Sequence, residues 1–235
     1  MLALFRYGAR GARPRPGALI ALLRRIRALP GLRLVQTDHA NVISAAQYAD
    51  DELAEVGRLL RAPGRGHGFI WVNLGVETAA GELLAANGGG PKMQPFRRDE
   101  WGDLCCEQVR RLAAAGFFPL VSLVLGLPGE TPAHVEETTR WVEGLDGLRA
   151  AVFPIFHAPI AEGARAFGRA DMTAAHWRLF RACYRLNFRW VPALCWDNQS
   201  GAGVALWRRA LLQGLGRLQK LWWKGLFVWR SGTLR

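Results

Sequence analysis

Four short polar segments, each following an apolar run, carry the groups that could do chemistry. They are Thr37-Asp38-His39-Ala40-Asn41, Gly75-Val76-Glu77-Thr78, Gly126-Leu127-Pro128-Gly129-Glu130-Thr131 and His157-Ala158-Pro159. In parallel α/β folds, ligands bind where strands end and the following loops begin, so four such ends together suggest a ligand cleft. Gly126 and Gly129 carry no Cβ and let backbone approach a ligand closely. The same turn also reads as a well-formed strand-to-helix connection, with Thr131 as cap and Pro132 in the first helical turn. It lacks the Gly-Lys-Ser/Thr ending of a phosphate loop. Glu77, directly after an apolar strand, needs a ligand, solvent or local loop amides to satisfy its carboxylate. Asp38, His39, Glu77 and His157 are residue types that suit a divalent metal, which gives a barrel-type metal-dependent hydrolase as one alternative. No paired-His spacing joins them, and each His also reads as a satisfied polar residue at a strand end. His67 precedes its strand and is expected on the opposite face, away from any cleft.

The cysteines are Cys105, Cys106, Cys183 and Cys195. Two are adjacent and the others twelve apart, which matches neither a disulfide framework nor a zinc ribbon. Reduced thiols of a cytoplasmic protein are the expectation.

These ends must be positioned by regular elements. Apolar residues at helical spacing predict helices over residues 17–29, 50–60, 99–115 and 132–145, and two more over 173–190 and 204–229. A short helix near 81–86 gives way to a Gly-rich loop over 88–92. Apolar runs predict strands at 32–36, 69–74, 120–125 and 150–156. Strands that are apolar throughout and alternate with helices indicate a parallel sheet covered by helices. The expected fold is therefore α/β, a partial (βα) barrel of only four parallel strands with a helical C-terminal extension. Its divisions are a basic lead and helix (1–30), the partial barrel (31–165) and the extension (166–235).

The 235 residues carry a net charge of +12. It is concentrated at the ends, with +8 over residues 1–37, +7 over 198–235 and −3 between them. A basic surface can meet nucleic acid or anionic membrane. The strong preference for Arg over Lys is also a compositional skew, and no nucleic-acid motif is present. Half the residues are hydrophobic, which excludes general disorder. No apolar run reaches the ~18 residues of a spanning helix, and the Arg-rich start has no secretory h-region.

The run Val72-Asn73-Leu74-Gly75-Val76-Glu77-Thr78, the helix-ending Gly116, and Ser122 through Gly126-Leu127-Pro128-Gly129-Glu130-Thr131 resemble radical S-adenosylmethionine enzymes. The likeness is to the branch that often carries an upstream cobalamin-binding domain, and Glu136, Glu137, Thr138, Thr139, Trp141 and Val142 extend it. It covers about residues 31–160. The resemblance implies a partial (βα)6 barrel in which a [4Fe–4S] cluster binds S-adenosylmethionine and cleaves it reductively to a 5′-deoxyadenosyl radical. The four strands then correspond to the third through sixth of that barrel. Glu77 and Thr78 match the strand end that meets the ribose and amino acid portion, Gly126 to Glu130 the turn beside adenine, and Phe153 and Pro154 a strand that flanks adenine. The family's C-x-x-x-C-x-x-C has no counterpart here, and neither do the first two strands. The expectation is a C-terminal part of a longer enzyme, incapable of the family chemistry alone, needing a missing N-terminal portion or partner chain.

Beyond the likeness, Trp207, Leu211, Leu215, Leu218, Trp222, Leu226 and Trp229 recur at steps of four, four, three, four, four and three, one face of a helix. Arg209, Gln213, Arg217, Lys220 and Lys224 fall around the other side. Such a helix either docks its apolar face on the barrel with the bases solvated, or lies on a membrane surface through residues 204–235.

Overall fold

The computed structural model describes residues 4–32, 35–61, 68–160 and 163–231. Four strands form one sheet in the order β1-β2-β3-β4, every neighbouring pair parallel. They are β1 (His39–Ala40), β2 (Ile70–Glu77), β3 (Phe117–Leu125) and β4 (Ala151–Phe156). Sequential parallel order with helices in the connections is the α/β arrangement expected from the apolar runs, and it is compatible with part of a barrel.

The helices are α1 (Pro16–Arg27), α2 (Val42–Ala46), α3 (Asp50–Leu60), α4 (Gly81–Leu84), α5 (Gly90–Met93), α6 (Trp101–Ala114), α7 (Pro132–Glu143), α8 (Ala174–Gly201) and α9 (Leu206–Ser231). β2 and β3 alternate between a helix-buried face and a half-buried one, where Leu194 of α8, with Trp190 and Val191, packs on Phe118 and Ala151. Val72, Leu74 and Val76 of β2, with Val121, Leu123 and Leu125 of β3, are buried under Trp101, Val109 and Leu112 of α6 and Val135 and Val142 of α7. Phe5, Leu19 and Leu23 from the N-terminal lead and Leu179, Cys183 and Leu186 from α8 join the same core, so all three expected divisions share it.

Four differences from the sequence-based expectation have physical causes. The first strand lies at His39–Ala40 rather than over 32–36. Arg33 and Leu34 of that stretch lie outside the described residues, as does His67. Beside them Gln36 Nε2 donates to Trp71 O at 2.7 Å, so a side chain rather than backbone meets β2 there. Pairing begins in earnest with the Asn73 amide donating to Asp38 O at 2.8 Å. Second, Asn41 accepts from the Ser44 amide at 2.8 Å and caps the unanticipated helix α2.

Third, the Gly-rich stretch expected as a loop winds into a wide turn at Ala85–Gly89 and then α5. Pro91 suits a first helical turn, and the winding carries Met93 into the core. Fourth, α8 continues through Pro192 to Gly201 instead of stopping near 190. Proline removes the amide that would serve the carbonyl four residues back. Lys220 Nζ from α9 reaches that orphan, Phe188 O, at 3.4 Å.

The outer edge of β4 is covered. The Asn187 side chain of α8 accepts from Val152 N and donates to Val152 O, both at 2.7 Å, in the manner of a neighbouring strand. Among the described residues no strand pairs with the outer edge of β1.

Candidate functional site

The end of β2 is the most constrained point of the chain. Glu77 has φ 66° and is the one non-glycine residue with positive φ among those described. Such a conformation costs on the order of 1–3 kcal/mol and persists only where the surroundings enforce it. Here a register irregularity against β3 falls between Gly75 and Glu77, and the Thr78 amide turns back to Val76 O at 2.9 Å. The Trp101 indole N–H donates to Thr78 O at 2.9 Å and reaches Val76 O at 3.3 Å. The Thr78 hydroxyl lies 3.1 Å from that of Thr138 and accepts from the Ala80 amide at 3.2 Å. Thr78 is 2% exposed. Its role in the structure is to tie the strand end to α7.

The Glu77 side chain lies over Gly75. A Cβ on Gly75 would come within 2.6 Å of Glu77 Oε1 and 3.1 Å of Lys92 Nζ. Lys92 donates to Glu77 Oε1 at 2.5 Å, and both side chains are about a third exposed or less. Lys92 comes from α5, so the winding that buries Met93 also delivers this ammonium. Sequence reasoning did not single it out. The available signal was its isolation, since only three lysines occur and the other two lie beyond residue 219.

At the end of β3, Gly126 has φ 79° and its amide donates to Glu130 Oε2 at 2.8 Å. The same oxygen lies 2.9 Å from His176 Nε2, and both side chains are 9% exposed. Thr173 donates its amide to His176 Nδ1 at 3.1 Å, which makes Nδ1 the acceptor and Nε2 the donor to the carboxylate. Glu130 thus locks the Gly-Leu-Pro-Gly turn to the start of α8. Leu127 is half-buried, while Pro128 and Gly129 are exposed, and Pro128 O accepts from Asn87 Nδ2 at 2.9 Å. That bond ties the β3 turn to the turn preceding α5, so the Glu77–Lys92 pair and the glycine turn belong to one end of the sheet.

At β4, Phe153 stands in register with Ser122 and hence Gly75, and Pro154 with Leu123. Phe153 is 41% exposed. At β1, Asn73 Nδ2 donates to Asp38 Oδ1 at 2.7 Å, and His39 Nδ1 lies 2.9 Å from Asp38 Oδ2. His157 donates its amide to Leu125 O at 2.9 Å and accepts at its carbonyl from Phe167 N at 3.0 Å. Among the described residues no group of three or more His, Cys, Asp or Glu stands where it could hold a metal ion. The four residues of the metal-hydrolase alternative are therefore not gathered. A cavity of about 670 Å³ between α8 and α9 reaches β4, where Phe153 lines it together with Asn187, Phe188, Gln199 and Gln213.

The cysteines do not suit a cluster. Cys105 and Cys106 sit on α6 and Cys183 and Cys195 on α8, and burial pushes all four thiols up, away from the thiolate form that ligates iron. Compared with known proteins, the chain matches no family model and no curated protein.

Proposed function

We propose that the chain is the adenosyl-binding part of a radical S-adenosylmethionine barrel, with β1 to β4 standing as that barrel's third through sixth strands. The observation that carries the reading is the strained Glu77. It is held at positive φ at the β2 end, paired with Lys92, and tied through Asn87 to the Gly126–Gly129 turn. A carboxylate accepts from vicinal ribose hydroxyls, and an ammonium with three donors, one used by Glu77, pairs with a ligand carboxylate. Exposed backbone at Pro128 and Gly129 and the exposed Phe153 ring offer an adenine polar and stacking contacts. Thr78 and Glu130 act through the backbone they hold, because both are buried against partners of their own.

S-adenosylmethionine supplies the adenosyl group, and the resemblance assigns its cleavage to a [4Fe–4S] cluster. The described residues do not fit such a cluster, so no cleavage step is assigned to this chain. The cluster-bearing strands, and any cobalamin-binding domain, belong in this reading to a portion that pairs with the edge of β1 to which no described strand pairs.

The test separates binding from stability. Glu77→Gly removes the carboxylate and relieves the positive φ, while the pair it breaks is worth only about 0–1 kcal/mol. Relief of about 1–3 kcal/mol of strain offsets that pair and the roughly 0.5–1 kcal/mol of extra chain entropy of glycine, so the variant's stability is expected no more than about 1 kcal/mol below the parent's. Equilibrium dialysis should find weak S-adenosylmethionine binding to the parent chain and a loss of roughly tenfold or more in Glu77→Gly. Equal binding by parent and variant would remove Glu77 from the site.

A further inference from the structure

The periodic Leu/Trp stripe of α9 does not face the body of the protein. The side docked on α8 is Arg209, Gln213, Lys220, Trp223 and Phe227. Gln213 donates to Pro192 O at 2.6 Å, Lys220 to Phe188 O, and Trp223 stacks between Tyr184 and Phe227 at 5.2 and 5.5 Å. The carbonyls of Phe188 and Pro192 on α8 thus recruit the polar side of α9. Most of its apolar side is left in water, with Trp207, Leu211, Leu215, Leu218 and Trp222 each more than half exposed and Trp229 at 70%, while Leu226 is half-buried. At about 1.5 Å per residue the stripe runs about 33 Å along the helix.

We infer that α9 is an in-plane anchor that lays this stripe into the surface of an anionic bilayer. Lipid is the occupant that the chemistry around the stripe selects. Around the helix, Arg208 and Arg230 border it on one side, at the level where lipid phosphates lie when the stripe faces the acyl chains. Arg208 lies over the Trp207 ring at 5.1 Å and Arg230 over Trp229 at 4.3 Å, the same guanidinium standing 5.9 Å from the Trp177 ring of α8. No acid follows Asp197 in the sequence to repel phosphate. A second copy of the chain on the same stripe would bring these cationic rims together. No helix among the described residues is long and apolar enough to cross a membrane, and a surface-lying helix needs no spanning length. The inference is independent of the adenosyl-binding reading, because none of Trp207, Leu211, Leu215, Leu218, Trp222 and Trp229 lines the cavity that α9 shares with Phe153.

The full chain is tested by flotation with phosphatidylcholine–phosphatidylglycerol vesicles and with phosphatidylcholine alone, following Trp emission. Expected are binding and a blue shift with the anionic vesicles, with weaker binding to neutral ones. Raised salt should reduce binding partially, since screening weakens phosphate contact but not Trp burial. The double variant Leu211→Glu/Leu218→Glu alters only exposed side chains and is expected to keep its circular dichroism and lose at least about tenfold in vesicle binding. Failure of the parent to bind either vesicle at low salt would overturn the proposal. So would undiminished binding by the double variant, or a concentration-dependent dimer that the double variant abolishes without any vesicle binding by the parent.

Discussion

Gly126→Ala is expected to lower stability by about 2–5 kcal/mol, seen as a large drop in the urea midpoint of the whole chain. Two costs combine. The φ of 79° lies in the left-handed region, which disfavours an L side chain by about 1–2 kcal/mol. A Cβ there would also sit 2.1 Å from the Phe167 ring, and overpacking of that kind costs about 1–3 kcal/mol. Phe167 has little freedom to retreat. Its ring lies 5.1 Å from His176 and 5.9 Å from Phe156, and its amide is bonded to His157 O. Gly129 supplies the control, because its φ is also 79° but nothing lies within 4 Å of its Cβ position. Gly129→Ala should cost only the backbone share, about 1–2 kcal/mol. Equal midpoints for the two variants would mean that Phe167 does not pack on the turn as described.

Trp101→Ala is expected to cost about 3–5 kcal/mol from the lost buried indole alone, with a further penalty for leaving Thr78 O unpaired. Trp101 is completely buried, and its indole N–H is the bond that fixes the backbone around Glu77. Against a typical domain stability of about 5–15 kcal/mol, this variant is near the limit of folding. Trp101→Phe keeps most of the packing and isolates the hydrogen bond, so it should fold with a loss of about 1–3 kcal/mol. In the adenosyl-binding account it should also weaken S-adenosylmethionine binding, because Glu77 is released from its positive φ. Calorimetric unfolding of both variants and dialysis of the second provide the check.

Much of this fold was legible because burial writes itself into composition. β2, β3 and β4 are apolar runs since one face lies under helices and the other is half-covered, and Thr131-Pro132 marks the start of α7 without ambiguity. Asp50–Leu60 folds over the span its spacing indicated. The failures share a different cause. Periodicity says which residues of α9 share a face but not which face docks. That choice was made by Pro192, which opened a carbonyl on another helix for Lys220 to reach. Likewise α5 follows from the burial of Met93, a tertiary reward invisible in a run of glycines. At the site, Glu77 could be marked from sequence as a carboxylate needing a partner, but Lys92 could be assigned to it only in space. Glu130 was visible as part of the strand-end motif, while its partner His176 lies 46 residues away near the start of α8, a start that helical spacing marks without indicating that pairing.

The ends of β2, β3 and β4 are the proposed seat of an adenosyl ligand. Titration of the isotopically labelled full chain with S-adenosylmethionine, followed through backbone amide resonances, tests it directly. The account predicts shifts grouped at Gly75 to Thr78, Gly126 to Glu130 and Phe153, with Lys92 among them. A spectrum that does not move, or one that moves only around the cavity between α8 and α9 at Gln199, Gln213 and Lys220, would contradict it.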